Sequence, residues 1–160
     1  TAIDPSERNI AIAKEHAAPQ GLAIDYRAVR IEDLVATGQT FDLVTCLEVV
    51  EHVPDVPEFL TTCSKAVRPG GLLFLSTINR TMKAWLLAIV GAEYVLQWLP
   101  RGTHQWDKFV TPQELAAHLE RNRLGVTDQV GVVYSPFADR WSISSGDVDV
   151  NYMLVAEAAG

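Results

Sequence analysis

The sequence predicts an α/β fold: a mostly parallel sheet covered by helices and closed by a C-terminal antiparallel hairpin. Three observations predict it. Short apolar segments alternate with amphipathic helical patterns, which is the rhythm of right-handed βαβ units. The strongest strand, Phe41–Leu47, carries an apolar run that suggests burial on both faces, as in a parallel sheet. Two late segments, 126–134 and 152–158, read as strands joined by a long connection over 135–149 that contains Pro136 and Gly146.

The 160 residues suit a single domain, 1–160. With 48% apolar and 21% charged residues there is material for one packed core and no signature of disorder. The net charge of -7 argues against a nucleic-acid partner held through its phosphates, because such sites need clustered Lys and Arg. Cys46 and Cys63 are too few for a disulfide framework or a Cys-rich zinc site, and they fit a reduced, intracellular protein. The opening Thr1-Ala2-Ile3-Asp4 looks like the tail of a strand, so a longer chain is expected.

Ser6 is a candidate N-cap for a helix over 7–17, with Ile10, Ala11, Ala13 and Ala17 at helical spacing, ended by Pro19-Gln20-Gly21. A strand is predicted over 22–26, and a short helix or turn over 31–36. After Phe41–Leu47 a helix is predicted over 57–67, with Phe59, Leu60, Cys63 and Val67 on one stripe. Arg68-Pro69-Gly70-Gly71 stops it and lets a buried strand start over 72–77. The rhythm then breaks at an apolar stretch, 84–99, and resumes with the capping box Thr111-Pro112-Gln113-Glu114, which opens a helix to about Arg121.

Three features carry chemistry. Asp4, at the carboxyl end of a strand and before a helix, can accept hydrogen bonds from both hydroxyls of a ribose. The plain alternative is an Asp in a turn before Pro5. Glu48, Glu51 and His52 follow the strongest strand. A helical turn starting after Leu47 would put all three on one face. They could hold Mg²⁺ or a softer divalent ion. Alternatively, His52 could be a general base oriented by a carboxylate, or the segment could be a solvated helix start.

The third feature is the apolar stretch, within an insert spanning 80–104. Sixteen residues fall short of the ~20 needed to cross ~30 Å of hydrocarbon. Glu93 and Gln97 make a narrow polar stripe, and Arg80, Lys83 and Arg101 bracket it with positive charge. That is the pattern of a helix lying in an anionic interface, with Trp85, Tyr94 and Trp98 at headgroup depth. The alternative is a lid packed on the protein's own core or on a second copy.

The run Leu43-Val44-Thr45-Cys46-Leu47-Glu48-Val49-Val50-Glu51-His52-Val53, followed by Val67-Arg68-Pro69-Gly70-Gly71, resembles class I S-adenosylmethionine-dependent methyltransferases. More narrowly, four further runs resemble the ubiquinone-biosynthesis O-methyltransferase family: Ser76-Thr77-Ile78-Asn79-Arg80, Ala88-Ile89-Val90-Gly91-Ala92-Glu93-Tyr94, Gly102-Thr103-His104 and Asp149-Val150-Asn151-Tyr152. The resemblance covers essentially the whole chain and implies a Rossmann-like fold. It implies that Asp4 binds the ribose of S-adenosylmethionine, that Ile31 and Glu32 border the adenine, and that Leu47 lines the cofactor pocket. It associates Glu48, Glu51 and His52 with Mg²⁺, and makes His52 and Glu51 the expected catalytic pair.

The implied substrate is a polyprenylated phenol or quinol ring, methylated in line from the sulfonium. Its tail would stay in a bilayer. Trp85, Leu86, Tyr94, Trp98 and His104 are therefore expected to face membrane or substrate. The location expected is peripheral and cytoplasmic, at the inner membrane, or on the matrix side in a mitochondrion. Other ubiquinone-biosynthesis proteins are expected partners. The family's Gly-rich loop and first strand should lie about 20 residues before Asp4. Nothing precedes Thr1, so the chain by itself is expected to lack them and to hold the cofactor weakly. Two other functions fit the same residues: an inactive membrane-associated assembly subunit, and an O-methyltransferase of a soluble small phenol.

Overall fold

The computed structural model describes all residues except Leu96, Trp98, Leu99, Arg101, His104, Pro136 and Phe137. It forms two compact units, Thr1–Thr40 and Phe41–Gly160. In the first, Ala2–Ile3 (β1) is followed by the helix Glu7–Ala17 (α1), and Tyr26–Arg27 (β2) pairs with β1 in parallel. The Ser6 hydroxyl accepts from the Asn9 N–H at 3.3 Å, as its N-cap reading requires. The predicted strand over 22–26 shrinks to its last residue. β1 is too short to ladder the rest, and Leu22 and Ile24 stay exposed. Ile31–Ala36 (α2) is a helix with Leu34 buried.

In the second unit Phe41–Leu47 (β3) leads to the helix Val56–Ala66 (α3) and the strand Val67–Ile78 (β4). Asp55 caps α3 by accepting from Glu58 N–H at 2.9 Å, and Leu60, Cys63 and Ala66 are buried along one stripe. β3 and β4 run parallel, from Leu43 opposite Leu72 to Leu47 opposite Ser76. After β4 the short turn Met82–Ala84 (α4) passes into a π-type helical segment, Trp85–Val95. Pro112–Arg121 (α5) opens on the predicted capping box. Leu124–Ser135 (β5), Arg140–Ser144 (β6) and Asn151–Ala158 (β7) complete the chain.

The sheet order is β3-β4-β7-β5-β6, and only the β3–β4 pairing in it is parallel. β7 lies at its centre, and its inward residues Tyr152, Leu154 and Ala156 are fully buried with Leu73, Leu75, Leu115 and Leu119. Burying each of these leucines contributes about 1.5–3 kcal/mol. Three expectations need correction. The sheet is mixed and not mostly parallel, because β7, β5 and β6 all join it through antiparallel pairings. β3 is not buried on both faces: Leu43 and Leu47, two positions of one face, are each about half exposed, and the one strand partner of β3 among the described residues is β4. The predicted 135–149 connection also holds a strand, β6, whose Trp141 and Ile143 point to solvent.

Gly131 in β5 marks a close approach. A Cβ there would lie 1.6 Å from the Asp147 carbonyl oxygen, so the 147–148 backbone seats directly on the strand. Gly131→Ala is expected to cost about 1–3 kcal/mol in urea unfolding. Gly125→Ala in the same strand, with nothing within 4 Å of a Cβ, is the control expected to change little.

Candidate functional site

The residues singled out from the sequence fall at the carboxyl ends of parallel strands, where α/β sheets bind ligands. In the first unit Asp4 leaves β1, and its N–H donates to the Arg27 carbonyl at 3.3 Å. Its carboxylate is held by the Ser6 N–H at 2.7 Å and by Asn9 Nδ2 at 3.2 and 3.3 Å. Ile31 and Glu32 begin α2 just beyond β2, so they share with Asp4 the carboxyl-terminal edge of the β1–β2 pair. Ile31 is half-buried; Glu32 is exposed and lies 4.0 Å from Arg30.

In the second unit the chain turns sharply after Leu47. Glu48 adopts a left-handed backbone, φ 54°, which costs a non-glycine residue of order 1 kcal/mol. The helical turn starts only at Val50. The single face expected for Glu48, Glu51 and His52 therefore does not form. Glu48 is exposed, and its carboxylate is fixed by two donors. The Ser76 hydroxyl donates to Oε1 at 2.6 Å and Asn151 Nδ2 donates to Oε2 at 3.2 Å. Its N–H donates to the Ser76 carbonyl and hydroxyl oxygens at 3.0 and 3.1 Å. Glu51 is buried, and its Oε2 accepts from the Thr77 hydroxyl at 2.7 Å. His52 is exposed. Among the described residues no group of three or more His, Cys, Asp or Glu side chains is placed to hold a metal ion. The arrangement does not fit Mg²⁺, because one carboxylate is committed inside the core.

In the insert Ala88 and Ile89 pack on a core cluster of Ile78, Ala84 and Phe109, while Trp85, Leu86, Leu87 and Tyr94 are exposed. The polar stripe is corrected: Glu93 is buried and accepts from the Gly102 N–H at 2.6 Å, so it points inward while Gln97 is exposed. The basic bracket is corrected too. Lys83 lies 3.0 Å from Asp147 and 3.2 Å from Asp149, and Arg80 pairs with Glu114. Hydrogen bonding to Asp147, joined by Asp149, holds the Lys83 ammonium above its ordinary pKa. Trp98, Arg101 and His104 lie outside the described residues.

Ser76, Thr77, Asn79, Asn151 and Tyr152 lie in the motif runs, yet no role is expected of them from sequence. The signal was available: two hydroxyl residues end an otherwise apolar buried strand. Asn79 N–H donates to the Val150 carbonyl at 2.7 Å and its Nδ2 to Val148 at 2.9 Å. The buried Tyr152 hydroxyl donates to the Val110 carbonyl at 2.8 Å. Burial pushes the Tyr152 phenol well above its ordinary pKa, and the Glu114, Glu51 and Glu48 carboxylates push it the same way. Thr77→Val removes the hydroxyl that donates to the Glu51 carboxylate with little change in volume. It is expected to cost about 1–3 kcal/mol, read as a lower urea midpoint; an unchanged midpoint would show that the pair is immaterial.

A methyltransferase-domain family model matches residues 1–129. The ubiquinone biosynthesis O-methyltransferase of Nitrobacter winogradskyi is 61% identical over 158 residues, covering 99% of this chain and 60% of that protein. Its namesake from Rhodopseudomonas palustris is 57% identical over 157 residues, covering 98% and 61%. The chain thus spans about three-fifths of the length of these relatives. Among solved structures, a SAM-dependent methyltransferase from Thermotoga maritima superposes with a TM-score of 0.70 at 15% identity, covering 97% of this chain and 71% of that one. The magnesium protoporphyrin IX methyltransferase of Synechocystis, solved with bound SAH, gives 0.65 at 15% identity, covering 98% and 62%. These likenesses show the Rossmann-like α/β fold expected from the sequence. With the family model spanning Asp4, the Glu48 turn and the β4 motif alike, the chain belongs to the methyltransferase-domain family.

Proposed function

We propose that this chain is the larger part of an O-methyltransferase that uses S-adenosylmethionine to methylate a polyprenylated catechol or quinol ring in ubiquinone biosynthesis. The observation that carries the proposal is the 61% identity, over 99% of the chain, to a relative bearing that name. When bound, S-adenosylmethionine supplies a sulfonium methyl that a phenolic oxygen can take in line. Asp4 suits the cofactor's ribose through Oδ2, which accepts from Asn9 alone and keeps a lone pair for a hydroxyl, while Oδ1 already accepts from Ser6 and Asn9. In the first unit Ile31 and Glu32 suit the adenine from the same sheet edge as Asp4; in the second, Leu47 is half exposed at the end of β3 and available to the cofactor. His52, exposed beside the Glu48 turn, receives the phenolic proton. Glu51, buried beneath it, supports the turn instead of touching substrate.

On this reading the enzyme works at a membrane surface, on the cytoplasmic side or on the matrix side in a mitochondrion, where the tail of the acceptor resides. Support comes from the contiguous exposure of Met82, Trp85, Leu86 and Leu87, with Tyr94 beyond them. No helix among the described residues is long and apolar enough to cross a membrane. Lys83 faces two carboxylates, so apolar contact carries more of the binding than charge does.

The full-length protein, given labelled S-adenosylmethionine and a prenylated catechol, is expected to transfer one methyl group to a ring oxygen, with long tails preferred to short. Failure with every hydroxylated ring would overturn the proposal. In vesicle flotation, wild-type protein is expected to float and to resist moderate salt, while Trp85→Asp with Leu86→Asp stays at the bottom; equal flotation of both would remove the membrane role.

A further inference from the structure

We infer that Glu48, held by Ser76 and Asn151, is the group that recognises the second, non-reacting hydroxyl of the acceptor ring, and that Ser76 and Asn151 are its positioning residues. The inference rests on the reading of the chain as a methyltransferase of a dihydroxy ring.

Four observations converge on it. Glu48 is exposed at the carboxyl end of β3, yet both of its carboxylate oxygens are fixed, by Ser76 at 2.6 Å and by Asn151 at 3.2 Å. The two donors stand on different strands and cannot drift. Ser76 is buried in the β4–β7 ladder opposite Met153, and Asn151 pairs with Ile78 at the ladder's end. Tyr152 beside Asn151 is fully buried and tied to Val110, and Asn79 N–H holds Val150 on the other side. The left-handed backbone of Glu48 is a strain that the fold keeps at this point, as functional turns do. A solvent-facing carboxylate needs no such support for stability alone.

An anionic acceptor of fixed direction suits a hydroxyl donor, and a charge-assisted bond of this kind discriminates strongly against a ring that lacks the hydroxyl. A catechol presents two adjacent hydroxyls. One takes the methyl group; the other donates to Glu48 and sets the ring's orientation. A ring with a single hydroxyl leaves the carboxylate without that donor.

The experiment is calorimetric binding of a short-tailed prenyl catechol, and of the same ring with one hydroxyl, to the full-length protein in the presence of a chelator. Wild type is expected to prefer the catechol by about tenfold or more. Glu48→Gln and Asn151→Ala are each expected to cut that preference to about threefold or less, with affinity for the single-hydroxyl ring unchanged. Ser76→Ala gives the same test through the other donor should Asn151→Ala fold poorly. An unchanged preference, an equal weakening of both rings, or a preference that appears only when Mg²⁺ is added would each overturn the inference. Methyl transfer by wild type alongside such a result leaves the proposed activity standing; no binding and no transfer by wild type removes both.

Discussion

The antiparallel pairing of β7 with β4 is the constraint on which the second unit depends. It joins residues 72–78 to 151–157 and sets β7 at the centre of the sheet. Seven residue pairs stand opposite one another in this ladder, and the inward side chains of both strands form the core. The pairing also brings two polar motifs, far apart in sequence, to one sheet edge. Ser76, Asn79, Thr81 and Lys83 meet Asp147, Val148, Asp149, Val150 and Asn151 there, directly or through the Glu48 carboxylate. Gly131 takes part from the far side: only a residue without Cβ lets the 147–148 backbone sit that close.

That edge sorts the acidic residues by depth. Glu51 lies inside, where a carboxylate is tolerated only with a good donor, and Thr77 supplies it. Glu48 lies outside, where water could serve it, yet it receives two protein donors. Identical side chains three residues apart thus have different work. The inner one secures the turn against β4, and the outer one is aimed. Glu114, across the same edge at the start of α5, follows a similar logic. Burial pushes its carboxyl up, but the Thr111 N–H and hydroxyl and the Arg80 guanidinium outweigh it and hold it below the ordinary value.

Much of this was legible in the sequence because it is local. The caps at Ser6 and Thr111 and the helix stop at Gly21 are decided by a few neighbouring residues. The extent of β3 was also legible, from its apolar run. Its burial was not, because that depends on which strands flank it. The face shared by Glu48, Glu51 and His52 failed for a local reason that spacing hides: one residue at positive φ shifts the start of the turn to Val50. Roles for Ser76 and Asn151 were out of reach, since each acts on a carboxylate 28 or 103 residues away. β6 was missed because Trp141 and Ile143 alternate with serines inside a segment whose turn residues dominate its pattern.

The insert shows how charge in sequence differs from charge in a fold. Counted along the chain, Arg80 and Lys83 make its root basic. Counted in space, Arg80 meets Glu114 and Lys83 meets both Asp147 and Asp149, so the root is neutral to acidic. These partly exposed pairs each contribute little to stability. Their effect is geometric, since with the Thr81 and Asn79 bonds they tie the first turn of the insert to the β7 end of the sheet. The buried Glu93, accepting from Gly102, ties it again farther along. An apolar helix with no such ties would collapse its whole surface onto the nearest core. Held at both points, it buries Ala84 and leaves Trp85, Leu86 and Leu87 facing outward. The polar groups around the insert therefore maintain the exposure of its apolar face.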